Sequence, residues 1–180
     1  MENKDYEKTT EETVAAAIKR ARELDIKKVI VASTTGYTAG LFADSGLDVV
    51  CVTHHIGWKH PNQDEMPAEA RNMLTEKGVE ILTCTHIFAG IDRALRMQFG
   101  GIYPVEIVAS ALRMFGQGLK VCVEIGIMAV DSGLTRQAEE VITVGGTGRG
   151  ADTAIVMYPY HSQNFLKSKV LEVICKPYDF

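Results

Sequence analysis

Ten consecutive residues, Val144-Gly145-Gly146-Thr147-Gly148-Arg149-Gly150-Ala151-Asp152-Thr153, carry four glycines, two threonines, an arginine and an aspartate between the apolar segments 141–144 and 154–157. Glycine tolerates positive φ and leaves room for close approach, and successive N–H groups in such bends form concave anion sites. An arginine in the same turn adds a fork-shaped cation suited to phosphate or carboxylate. The same composition also makes a long hairpin turn between two strands. The loop's residues alone leave both readings open.

A second stretch, Ser33-Thr34-Thr35-Gly36-Tyr37-Thr38-Ala39, follows an apolar run directly and opens a short helix. Its N–H groups and hydroxyls meet the positive end of a helix dipole, where anions are held. One Ser or Thr suffices for an ordinary N-cap. Three threonines and a serine exceed that need, which favours phosphate binding here. The histidines His54, His55, His60 and His86 form no HExxH pattern and no matched acidic pair, so no metal site is expected. His54 and His86 are the candidate acid/base groups, because histidine titrates near neutral pH. Glu124 lies four residues after Lys120 in an apolar stretch, and is either a surface helix pair or a carboxylate aimed into a pocket. The surface pair is the preferred reading. Tyr37 and Trp58 could each stack on a planar ligand ring, or simply pack on the fold.

The 180 residues are 46% hydrophobic and 23% charged, which suits one compact domain over 1–180. A net charge of -4 supplies no basic field for nucleic acid. No apolar run approaches the roughly 20 residues that span a bilayer, so no membrane association is expected. Cys51, Cys84, Cys122 and Cys175 are far apart with no CxxC pair, which points to a reducing, cytoplasmic setting.

These groups need elements to position them. Thr9-Thr10-Glu11-Glu12 has capping-box spacing and predicts a helix start there, with Val14, Ala17, Ile18, Ala21 and Leu24 forming its apolar face. Strands are predicted at 27–32, 48–53 and 79–84, with a helix at 67–77 begun by Pro67 and stopped by Gly78. Helices are expected at 91–99 and 104–115. Residues 117–133 fit either period, and helix is preferred because the run is long for a strand. Strands at 140–144, 153–157 and 169–175 complete a three-layer α/β/α arrangement, mostly parallel with an antiparallel strand after the glycine-rich loop. Ligands in such sheets sit outside the strand carboxyl ends. Ser33-Thr34, Thr53-His54, Thr85-His86 and the glycine-rich loop all fall there.

The segments Thr13-Val14-Ala15-Ala16-Ala17, Val29-Ile30-Val31-Ala32-Ser33-Thr34-Thr35-Gly36-Tyr37-Thr38-Ala39 and Val50-Cys51-Val52-Thr53 resemble the C-terminal α/β domain of pyruvate kinase. With the signature Gly145-Gly146-Thr147-Gly148-Arg149-Gly150-Ala151-Asp152-Thr153-Ala154, the whole chain is similar to stand-alone microbial proteins of that fold, whose function is poorly established. The resemblance implies that Thr34, Thr35, Gly36 and Thr38, with Ser33 at the first position, hold a phosphate, as the matching turn does for an allosteric sugar bisphosphate in regulated pyruvate kinases. Ser33 replaces the usual Thr, and Tyr37 stands where a polar side chain is common, which shifts the expectation toward a ligand bearing an aromatic ring. The catalytic barrel has no counterpart, so pyruvate kinase activity by this chain alone is not expected.

Three readings result. The first is binding of a phosphorylated small molecule, a mononucleotide such as FMN or a sugar phosphate, by Ser33, Thr34, Thr35, Gly36, Tyr37, Thr38 and Thr53 with Gly145, Gly146, Thr147, Gly148, Arg149, Gly150, Ala151 and Asp152. The second is a metabolic enzyme using His54 or His86 as acid/base on a phosphorylated substrate. The third is a regulatory or structural partner subunit, since the related domain contributes to oligomer contacts in pyruvate kinase, and it predicts co-purification with another protein. A homo-oligomer is a separate expectation and argues against this third reading.

Overall fold

The runs Val29-Ile30-Val31 and Val49-Val50-Cys51-Val52 are apolar at every position, a pattern that suits a sheet covered on both faces. In the computed structural model, which describes residues 6–180, they form most of β1 (Lys28–Ala32) and β2 (Asp48–Thr53). The sheet is completed by β3 (Glu80–Thr83), β4 (Val141–Gly145), β5 (Thr153–Tyr158) and β6 (Lys169–Cys175), in the order β3-β2-β1-β4-β5-β6. β1 runs parallel to β2 and β4, and β2 parallel to β3. β5 is antiparallel to β4 and β6, so the glycine-rich loop is a hairpin connection, and the parallel set gives way at that point.

Alternate side chains of each strand point to opposite faces. Val29, Val31, Val49, Cys51 and Ile142 meet α1 (Tyr6–Leu24), α2 (Tyr37–Phe42) and α3 (Ala68–Glu76) through Val14, Phe42 and Leu74. Ile30, Val50, Val52 and Ile155 meet α5 (Pro104–Arg113) and α6 (Gln117–Asp131) through Ala109, Cys122 and Ile125. Between β3 and α5 lies α4 (Ile91–Phe99), which buries no residue. The result is the three-layer α/β/α architecture. Among the described residues no helix is long and apolar enough to cross a membrane.

The ambiguous run near 117–133 is helical, as α6. Its mixed period has a physical cause: the helix is enclosed on nearly every side, so apolar residues surround it and no single stripe stands out. From Gly118 to Val130 only Val121 escapes full burial. Two glycines allow that fit. A Cβ on Gly118 would lie 2.2 Å from Thr153 Oγ1, and one on Gly126 2.7 Å from Met157 Sδ.

The expected helix start at Thr9–Glu12 is corrected. Helix α1 already runs from Tyr6, and Thr10 is a buried interior residue whose hydroxyl donates to the Tyr6 carbonyl at 2.6 Å. A threonine can bond back to the carbonyl four residues earlier as readily as it caps a helix, so the composition matched while the position did not.

Replacement of Gly118 by valine forces α6 away from β5. Gly118→Val is expected to lose roughly 2–3 kcal/mol of stability, measured as a lower urea midpoint than that of the unmodified chain.

Candidate functional site at the carboxyl edge of the sheet

β1, β2, β3 and β4 end side by side, so the loops that follow them share one edge. After β1 the chain turns through Gly36, whose φ of 87° is a left-handed conformation that glycine adopts without strain. Ser33 is buried and accepts a hydrogen bond from the Ala39 amide at 3.2 Å, so this serine does the local work of ordering the turn. Thr38 is also buried, whereas Thr35 is exposed and Tyr37 is 40% exposed. Exposed Thr35 and Tyr37 are therefore the side chains of this turn most open to a ligand.

The hairpin between β4 and β5 spends several of its donors on itself. The Asp152 amide donates to the Gly145 carbonyl at 3.0 Å, Arg149 to the Thr147 carbonyl at 3.1 Å, and Thr147 to Asp152 Oδ2 at 2.9 Å. The Ala151 amide donates to Thr10 Oγ1 at 2.9 Å, which ties the loop to α1. Gly150, with φ of 71°, is required there: a Cβ would lie 2.3 Å from the same Thr10 oxygen. The Gly146, Gly148 and Gly150 amides have no partner among the described residues. The Arg149 guanidinium lies 4.1 Å from the Tyr6 ring centroid and has no carboxylate partner among the described residues. A hydrogen bond to Glu7 raises the Tyr6 phenol above its usual range, although the Arg149 charge acts in the opposite direction. The hairpin loop thus reaches the first turns of α1.

At the other end of the edge, β2 finishes at Thr53, whose hydroxyl meets that of Thr83 at 2.8 Å. His54 Nδ1 contacts Glu65 Oε1 at 2.8 Å, and the second oxygen of Glu65 pairs with Lys59 at 2.6 Å. His86 Nε2 contacts the Thr53 carbonyl at 3.1 Å, while its Nδ1 faces Glu124 Oε2 at 3.5 Å. Glu124 also accepts from Lys120 at 2.5 Å and from the Phe88 amide at 2.8 Å. Each histidine is therefore backed by a glutamate that a lysine neutralises. The two rings lie 5.4 Å apart, with Trp58 4.6 Å from His54 and Arg93 4.9 Å over the Trp58 ring. Trp58 is thus half-buried within this cluster.

The surface-pair reading of Lys120 and Glu124 is corrected: the pair forms, but Glu124 is 0% and Lys120 5% exposed. Residues 86–88 close over α6 and turn a spacing typical of helix surfaces into a buried ion pair. Burial pushes the Glu124 carboxyl up, but the hydrogen bond from His86 and the Lys120 charge outweigh it and hold the group below the usual carboxylate range. Burial likewise opposes ionisation of Glu65, and the Lys59 and His54 contacts again win. Glu65, Lys59 and Arg93 were not singled out from the sequence, because no fixed spacing links them to the histidines they serve. The cysteines offer no activated thiolate: burial pushes Cys51 up to about 12, and Cys122 higher still. An open groove of about 280 Å³ lies beside His55, Trp58, Arg93 and Met97, and a second of about 780 Å³ lies between α4 and α5.

Glu124→Gln leaves Lys120 buried without its counter-charge, and is expected to cost about 3–5 kcal/mol in chemical denaturation. The double change Lys120→Met with Glu124→Leu should recover most of that loss. The sign of the pH effect follows from the lowered carboxyl. Its stabilisation is complete above the ordinary carboxylate range and disappears as pH falls through the lower folded-state value. The double variant should lack that part of the acid-induced loss.

The family model of the pyruvate kinase alpha/beta domain matches residues 11–157. A crystal structure of a pyruvate kinase from Cryptosporidium parvum is similar at 16% identity and a TM-score of 0.43, over 82% of this chain and 22% of that one. A structure of Cryptosporidium parvum pyruvate kinase in complex with ADP gives 16% identity and a TM-score of 0.42, over 82% of this chain and 23% of that one. The chain therefore spans less than a quarter of the length of these enzymes. On the match over 11–157, the chain belongs to the pyruvate kinase alpha/beta domain family.

Proposed function

We propose that this chain binds a phosphorylated small molecule at the carboxyl edge of the sheet, between the turn at 33–38 and the hairpin loop at 145–152. The observation that carries this reading is Arg149: an exposed guanidinium, steadied by the Tyr6 ring and without a carboxylate partner among the described residues, stands among glycine amides that have no partner there either. A fixed cation beside free N–H donors is the arrangement that binds phosphate. Exposed Tyr37 offers a face for a planar ring. A mononucleotide such as FMN fits both features, and a sugar phosphate uses the first alone. The chain acts in the cytoplasm on this reading, and has no pyruvate kinase activity by itself.

A second reading has its own observation. The Glu65-backed His54 and Glu124-backed His86, with rings 5.4 Å apart, suit proton transfer on a phosphorylated substrate. Turnover that disappears in His54→Ala while phosphate-ester binding remains would favour it.

Titration of the purified chain with FMN, AMP and fructose 1,6-bisphosphate should give saturable binding of at least one. Arg149→Ala should weaken that binding about tenfold to a hundredfold, as expected for loss of charge-assisted hydrogen bonds worth roughly 1.5–3 kcal/mol, with an unchanged thermal midpoint. No binding of any of the three, or equal affinity in the variant, would sink the proposal.

A further inference from the structure

Helices α4 and α5 are joined by residues 100–103 but do not close on each other. Helix α5 packs on α6, whereas α4 packs closely on no other element and buries none of its residues. Between the two helices lies the cavity of about 780 Å³, within the ~300–1,000 Å³ typical of small-molecule sites. Phe88 and Ala109, 8% and 1% exposed, form its floor, and Ile102, Ile107 and Met114 add apolar wall. A helix as short as α4 is marginal in water without tertiary packing. A molecule seated in the cavity supplies packing that the chain itself does not.

The charges that line the cavity select the kind of molecule. Arg93, Arg96 and Arg113 stand there against one carboxylate, Glu106, in a chain whose net charge is -4. Arg96 pairs with Glu106 across the gap at 2.6 Å. Arg113 donates to the neutral Gln117 at 2.7 Å and Arg93 lies 4.9 Å over the Trp58 ring, and neither has a carboxylate partner among the described residues. Arg93 is in the first turn of α4 and Arg113 in the last turn of α5, the turns furthest along the chain from the connection. Charge is thus neutralised where Arg96 meets Glu106 and left positive at the other helix ends. We propose that this cavity binds an amphiphilic carboxylate, with an unbranched alkyl chain against Phe88, Ala109 and Ile107 and the carboxylate held by Arg93 and Arg113. The guanidinium fork matches a carboxylate, and the apolar floor matches the chain. A peptide helix fits less well: a cavity of this volume takes only about two turns of a helix about 10 Å across, short of the area a stable protein contact buries.

Calorimetric titration of the full chain with decanoate, below the concentration at which it forms micelles, should show saturable binding. Trp58 is the only tryptophan and touches Arg93, so its emission should change over the same range. Affinity should rise about two- to fourfold for each methylene added from octanoate to dodecanoate. Decanol, which has the chain without the charge, should bind at least about tenfold more weakly than decanoate. Arg93→Gln and Arg113→Gln should each weaken decanoate about tenfold and leave decanol unchanged. Ser110→Phe fills the cavity from an exposed position and should abolish binding of both, while Arg136→Gln, outside the cavity, should alter neither. Circular dichroism should be unchanged in all four variants. No saturable binding of decanoate, equal affinity for decanol, or an affinity that survives both arginine changes would overturn the proposal. So would adhesion to phosphatidylglycerol vesicles by a chain that does not bind monomeric decanoate.

Discussion

One half of the carboxyl edge depends on a single buried charge, the carboxylate of Glu124. A carboxylate in an apolar interior is costly unless its charge is balanced and its oxygens are hydrogen-bonded. Lys120 supplies the charge from the same helix, but the remaining partners must come from elsewhere: the Phe88 amide and His86, both in the connection after β3. Satisfying Glu124 therefore fixes that connection against α6. His86 then reaches the Thr53 carbonyl at the end of β2, and the Thr53 hydroxyl reaches Thr83 of β3. The pair gives modest net stability after its desolvation cost, yet it excludes other placements of this loop, since any of them would strand a buried ion.

The other half of the edge is set by close backbone approach. Thr10 is the junction, because its hydroxyl donates to Tyr6 within α1 and accepts from Ala151 in the hairpin loop. That contact holds the loop against the helix, and the lack of a side chain on Gly150 is what allows it. Arg149 is left pointing outward across the Tyr6 ring. The edge is thereby divided into a region of backbone donors and one guanidinium over α1, and a region of carboxylate-backed histidines over α6. Backbone donors with a guanidinium suit a phosphate group, and carboxylate-backed histidines suit proton transfer.

Much of the fold was legible because strand patterns are local. The continuous apolar runs of β1 and β2, the hydroxyl-rich turn between β1 and α2 and the glycine-rich connection before β5 all reappear at the expected places. The misreadings share one cause, which is that a pair spacing does not state its surroundings. Thr9 to Glu12 has the spacing of a cap, but the helix already covers that turn. Lys120 and Glu124 have the spacing of a surface pair, but a loop more than thirty residues earlier in the chain closes over them. The partners of His54 and His86 were illegible for the same reason, since Glu65 and Glu124 reach them only through the tertiary fold. The glycine-rich loop was readable as hairpin or anion site, and the antiparallel pairing of β4 with β5 makes it a hairpin that keeps three glycine amides without partners among the described residues.

Amide chemical-shift mapping during titration with a phosphorylated ligand such as FMN distinguishes a phosphate held at the α1 side of the edge from one held elsewhere. Binding there should give saturable shifts concentrated at Thr35, Gly36, Tyr37, Gly146, Gly148, Arg149 and Gly150. Shifts confined to the region of His54, Trp58, His86 and Arg93, or no saturable shifts at all, would contradict it.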